Sequence, residues 1–128
     1  MEEKVKYEME FPIKVSPSLL YTYISTPSGM SEWYADNVNS RGEFFTFIWD
    51  GSEEKAKLLG KKTNERIKFR WMVDEGSEYF FELRIQVDEI TKDVSLMITD
   101  YAEEDEVDEG KMLWENMVSE LKQILGST

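Results

Sequence analysis

The sequence predicts an α+β fold: a curved antiparallel sheet of about six strands gripping one long C-terminal helix, with two short helices after the first strand. Three observations predict it. Residues 108–125, DEGKMLWENMVSELKQIL, place Leu113, Trp114, Met117, Val118, Leu121, Ile124 and Leu125 at spacings of three and four, opposite Glu115, Asn116, Glu120, Lys122 and Gln123. That is one apolar face of an α-helix. Most of the chain before it alternates apolar and polar residues with period two, the pattern of half-buried strands. Between the first such strand and the rest stand two helix starts in quick succession, each a hydroxyl residue followed by proline.

In order along the chain, residues 4–13, KVKYEMEFPI, set Val5, Tyr7, Met9, Phe11 and Ile13 against Lys4, Lys6, Glu8 and Glu10. Pro12 lacks an amide hydrogen, so this end belongs at an edge or a strand terminus. Ser16 reads as an N-cap with Pro17 as the first helical residue, followed by Leu19, Leu20, Tyr23 and Ile24. Thr26 and Pro27 repeat the signal and lead through Met30, Trp33 and Tyr34, with the chain leaving at Asp36 and Asn37.

From residue 43 onward the reading is strands separated by turns. Phe45, Phe47 and Trp49 oppose Phe44, Thr46 and Ile48, and Asp50-Gly51 is a hairpin signal. The strand over 54–62 is the weakest, with Ala56 and Leu58 between lysines, and Thr63-Asn64 turns it. Ile67, Phe69, Trp71 and Val73 then oppose Arg66, Lys68 and Arg70. After Glu75-Gly76-Ser77, Phe81, Leu83, Ile85 and Val87 oppose Glu82, Arg84 and Gln86. Residues 93–101 give a last strand through Val94, Leu96 and Ile98. Hairpin connections make the sheet antiparallel, with one covered and one solvated face, and a twisted sheet of this size curls around a single helix. This is the helix-grip arrangement, and 128 residues without a linker or repeat make it one domain, 1–128.

Composition removes several function classes. The chain has no cysteine and no histidine, which excludes thiol nucleophiles, Ser-His relays and zinc sites built on sulfur and imidazole. A formal charge of −12 repels phosphate backbones and anionic lipid, so nucleic acid is not an expected partner. No run of about 18 uncharged apolar residues exists, and the start MEEKVKYEME has no apolar centre of an export signal, so a cytoplasmic protein with no membrane insertion is expected. No glycine cluster cradles phosphate and no calcium-loop spacing occurs, so neither cofactor nor metal is expected. Seven of the 27 acids fall in residues 100–109, directly before the final helix, whose N-terminus they favour.

The order of these pieces resembles a START-like (SRPBCC) domain, and within that superfamily is most similar to homologues of the activator of the heat-shock chaperone ATPase. The residues that carry the resemblance are Val15-Ser16-Pro17 with Leu20, Tyr23 and Ile24, then Thr26-Pro27 and Trp33. Phe45 and Phe47 before Trp49-Asp50-Gly51, Phe69 with Trp71, and Trp114 with Leu121 complete it. It spans nearly the whole chain. It departs where the family pattern often has histidine and glycine near the end of the last strand; Asp100-Tyr101-Ala102 stand there instead. The superfamily is defined by architecture, so no catalytic residue is carried over.

The resemblance implies a cavity between sheet and final helix. Its expected walls are Phe47, Trp49, Phe69, Trp71, Phe81, Leu83, Leu113 and Met117, with Trp33 near the mouth. Such a cavity suits an apolar or aromatic small molecule or a lipid. The competing expectation is that these aromatics simply fill the core. A protein-interaction role through the acidic segment 103–109, in the manner the activator resemblance implies, is the second reading. The third is an enzyme of the cyclase or hydratase kind, less expected than a binder; for it Asp100 and Tyr101 are the only acid–base candidates near a rim, and Asp100 reads more readily as a solvated surface residue. Trp114 is read as the helix's main anchor, and Phe44 or Ile48, on the outer face, as a dimer contact if one exists.

Overall fold

The computed structural model describes residues 3–127; Met1, Glu2 and Thr128, parts of the sequence read above for an export signal and a single domain, lie outside the described residues. The element order is β1 (Lys4–Pro12), α1 (Pro17–Ser25), α2 (Pro27–Trp33), β2 (Asn37–Arg41), β3 (Phe44–Trp49), β4 (Ser52–Lys62), β5 (Arg66–Trp71), β6 (Phe81–Val87), β7 (Val94–Glu103) and α3 (Val107–Ile124). The strands form one sheet ordered β1-β7-β6-β5-β4-β3-β2, with every pair antiparallel.

This order explains the two early helices. β1 and β2 are the opposite edges of the sheet, so α1 and α2 carry the chain from one edge to the other. From β2 every step is a neighbouring strand, until β7 returns beside β1 and releases α3. Pro12 therefore sits on an edge strand, where its missing N–H costs no ladder bond. The caps form as their residue types dictate: Ser16 Oγ accepts from the Leu19 amide at 3.2 Å and Thr26 Oγ1 from the Gly29 amide at 3.0 Å. At the β3–β4 hairpin Asp50 and Gly51 adopt φ of 49° and 83°, the left-handed pair that a two-residue turn requires. A register shift between Leu58 and Gly60 in β4 adds bend to the middle of the sheet.

The concave face holds the core. Phe47, Phe69, Phe81, Leu83, Ile67, Leu96 and Ile98 are fully buried from the sheet side, and Leu20, Ile24 and Met30 from the two short helices. α3 lowers Trp114, Val118 and Leu121 onto this face, packing against α2, β1 and β7. Trp114 is 3% exposed and stacks on Tyr34 with ring centroids 5.4 Å apart, as expected of an anchor.

Two details differ from the sequence reading. The sheet has seven strands rather than about six, because Asn37–Arg41 forms an edge strand where an exit loop was expected. Only Val38 of that polar stretch is buried, so no alternation marks it. The apolar stripe of α3 is also wider than the face it buries: Leu113 and Ile124 lie exposed on its flanks.

Candidate functional site

α1 covers β5 and β6, while α3 lies toward the β1–β7 edge. Neither helix closes the ends of β3 and β5, where Trp49 and Trp71 emerge half-buried. The result is a cleft of about 400 Å³ lined by Tyr7, Tyr34, Trp49, Trp71, Asp100, Gly110, Leu113, Trp114 and Met117. Its volume lies in the range that holds a small organic ligand.

Each wall has a structural reason. Trp49 is held by its indole N–H, which donates to the Tyr34 carbonyl at 2.8 Å, just past the end of α2. Tyr34 packs against Phe47, Trp49, Phe81 and Trp114, and so joins the cleft to the core beneath. On the helix side Leu113, 56% exposed, and half-buried Met117 form a rim. Gly110 permits the approach of α3 to β1, since a Cβ there would stand 2.6 Å from the Tyr7 hydroxyl oxygen.

The polar part of the cleft is a carboxylate with three donors. Asp100 Oδ2 accepts from the Trp114 indole N–H at 2.9 Å and from the Tyr7 hydroxyl at 3.3 Å, and Oδ1 from the Tyr101 amide at 2.8 Å. Tyr7 and Asp100 are directly paired across β1 and β7, which brings residues 93 apart in sequence together. Burial raises the Asp100 pKa above the usual carboxylate value, against the pull of its donors and of the Lys4 charge. Burial and the Asp100 charge together push the Tyr7 phenol well above its ordinary value, and Tyr34, buried deeper, moves the same way for the same causes. Both phenols therefore remain protonated at neutral pH, and Tyr7 stays a donor.

Of the residues expected to wall a cavity, Trp49, Trp71, Leu113 and Met117 come together around this cleft. Phe47, Phe69, Phe81 and Leu83 are fully buried and form the packed layer below it. Trp33 is also buried, and its indole N–H donates to the Tyr23 carbonyl at 2.8 Å, joining α2 to α1. The expectation that Asp100 is a solvated surface residue is corrected: it lies half-buried on the concave side, hydrogen-bonded to Trp114. Sequence reasoning did not assign Tyr7, Tyr34 or Gly110 to this site, and it named Asp100 only as an acid–base candidate near a rim. For Asp100 the signal was present, since it continues the inward series Val94, Leu96 and Ile98.

Elsewhere, the carboxylate oxygens of Glu103, Asp105 and Glu106 lie within 4.8 Å of one another at the start of α3, largely exposed. A second depression of about 550 Å³, between the end of β1 and the β6–β7 turn, is lined mainly by polar residues such as Glu10, Lys14, Asp88 and Lys92.

A family model described as a START-like superfamily domain matches residues 1–127. The chain belongs to the START-like superfamily. Among solved structures, a Bacteroides fragilis protein determined in solution by NMR shares 34% identity, covers 97% of this chain and 91% of its own, and superposes with a TM-score of 0.64. The Aha1 dimer of Colwellia psychrerythraea has a TM-score of 0.77 at 17% identity, covering 92% of this chain and 93% of that one. A Mesorhizobium loti protein reaches 0.78 at 15% identity, covering 95% and 97%. The last two likenesses show the START-like fold alone. No curated protein matches the chain. Among the described residues no helix is long and apolar enough to cross a membrane.

Proposed function

We propose that this START-like protein binds an apolar or aromatic small molecule in the cleft between the sheet and α3. The observation that carries the reading is the pair of half-buried indoles, Trp49 and Trp71, facing the exposed Leu113 across an open space while the layer beneath is sealed. Apolar surface left uncovered beside a packed core gains about 25 cal/mol for each Å² that a ligand removes from water. Tyr7 and Asp100 supply the few polar anchors that orient a ligand in such a site. Titration with an environment-sensitive apolar dye tests it. Saturable binding to the folded protein, weakened several-fold by Leu113→Glu at the rim, is expected; no binding, or binding indifferent to that substitution, contradicts the reading.

A second reading has one observation in its favour. The clustered carboxylates of Glu103, Asp105 and Glu106 form an exposed negative surface suited to a basic protein partner, by an attraction that salt weakens. Neutralising all three and finding a salt-dependent partner still bound removes it. Asp100 is also the acid that a cyclase- or hydratase-like reaction in the cleft would use. An activity unchanged by Asp100→Asn would exclude that role.

A further inference from the structure

We propose that the ligand is an organic ammonium, an apolar body carrying one positively charged nitrogen, seated with that nitrogen among the aromatic rings and the Asp100 carboxylate. The proposal deepens the cleft reading above and rests on it. Of the nine lining residues five are aromatic and none is Lys or Arg; Tyr7, Tyr34 and Trp114 are buried in the wall, and half-buried Trp49 and Trp71 leave ring surface open to the cleft. Aromatic faces are the negative part of the ring quadrupole and attract a cation within about 6 Å.

Asp100 is the one acidic side chain among the lining residues, and its charge lacks a close counterpart. It makes no ion pair among the described residues. Lys4, whose charge reaches it, is already bonded to both oxygens of Asp74 at 3.0 and 3.2 Å. Oδ2 takes two hydrogen bonds, whereas Oδ1 takes one, from the Tyr101 amide. Each carboxylate oxygen has two lone pairs, so Oδ1 retains an acceptor position.

Ligand classes separate on these grounds. An anion meets Asp100 and the −12 charge of the chain. A neutral apolar molecule removes water from the carboxylate without replacing what water gave it, which is unfavourable. A cation supplies both the missing charge partner and a body for the indoles.

The test uses three ligands of one skeleton, phenylpropylammonium, phenylpropanol and phenylpropionate, titrated calorimetrically into the full chain. The ammonium is expected to bind about tenfold tighter than the alcohol, and the alcohol tighter than the carboxylate. Asp100→Asn should bring ammonium and alcohol close to parity. Glu89→Gln, which removes one negative charge in the β6–β7 turn, should leave the preference intact, so that general attraction to an acidic protein is told apart. Trp71→Leu, an independent variant should Asp100→Asn fail to fold, should weaken the ammonium more than the alcohol. Equal affinities for ammonium and alcohol, or a preference that survives both variants, overturns the proposal and leaves the cleft reading standing. If none of the three ligands binds, the cleft reading fails and this proposal with it.

Discussion

The two ends of strands β3 and β5 make an instructive pair. At the inner end Phe45, Phe47 and Phe69 are sealed under the helices, ring against ring, with Phe45 and Phe69 centroids 4.9 Å apart. At the outer end Trp49 and Trp71 continue the same inward rows, two residues further on, yet remain half-buried. Pleat and residue class are alike at both ends. Coverage differs, because α1 lies over β5 and β6 and α3 leans toward β1 and β7, leaving the indole end uncapped. In this START-like chain the open cleft is therefore a property of where the helices stop, and the aromatic residues alone do not define it.

The sharpest way to break that contrast is to truncate one residue at each end. Phe47→Ala in the sealed layer should cost about 3–5 kcal/mol, because the cavity left behind cannot collapse among packed rings. Chemical denaturation would read it, and a loss below about 1 kcal/mol would show that the layer is loosely packed.

Gly110→Ala comes next. Its Cβ would press on the Tyr7 hydroxyl, which a rigid ring cannot easily withdraw, at a typical overpacking cost of about 1–3 kcal/mol. The gain in helix propensity offsets roughly 1 kcal/mol of this. A net destabilisation of about 1 kcal/mol is expected in the same assay, together with disturbance of the Tyr7–Asp100 bond.

Asp100→Asn should have an effect that changes with pH. Because burial raises its pKa in the folded state above the ordinary 3.8, the folded protein holds the proton more tightly than the unfolded chain. The stability this group gives is present below pH 3.8 and is lost as pH rises through the higher folded value. Asparagine keeps an oxygen for the Trp114 indole and does not ionise, although its NH2 group replaces the oxygen that accepts from the Tyr101 amide, a loss that is the same at every pH. Its stability relative to the native protein should thus rise across that window and level off above it, as followed by thermal unfolding at a series of pH values. A difference independent of pH would mean that Asp100 is well solvated.

Leu113→Ala is the smallest change. An exposed rim residue should cost less than about 0.5 kcal/mol on unfolding, yet it should weaken dye binding measurably. A large loss of stability would place Leu113 inside the core.

Much of this architecture was legible in the chain. Ser16-Pro17 and Thr26-Pro27 mark their helices because an N-cap is a local interaction between neighbours, and alternation in β3, β5 and β6 marks the inward rows. β2 was illegible since a short edge strand with a single buried residue carries no period. The buried face of α3 narrows to Trp114, Val118 and Leu121, and which flank meets solvent depends on the tilt against β1 and β7. The site was legible only in part. Trp49 and Trp71 could be assigned to the concave face, but what stands over them is a tertiary fact. Asp100 stands on that face by strand alternation, and its charge argued for solvent. The local Tyr101 amide is one donor; Tyr7 from the other end of the chain and Trp114 from α3 supply the two that only the tertiary fold brings to it.

The central claim, that the uncapped indole end is where a ligand sits, has a direct readout in the four tryptophan indole N–H resonances. Titrating phenylpropylammonium should shift the signals of Trp49, Trp71 and Trp114 most, while Trp33, which is not among the lining residues and whose indole is bonded to Tyr23, moves least. Four unmoved resonances at saturating ligand, or movement of Trp33 alone, would contradict it.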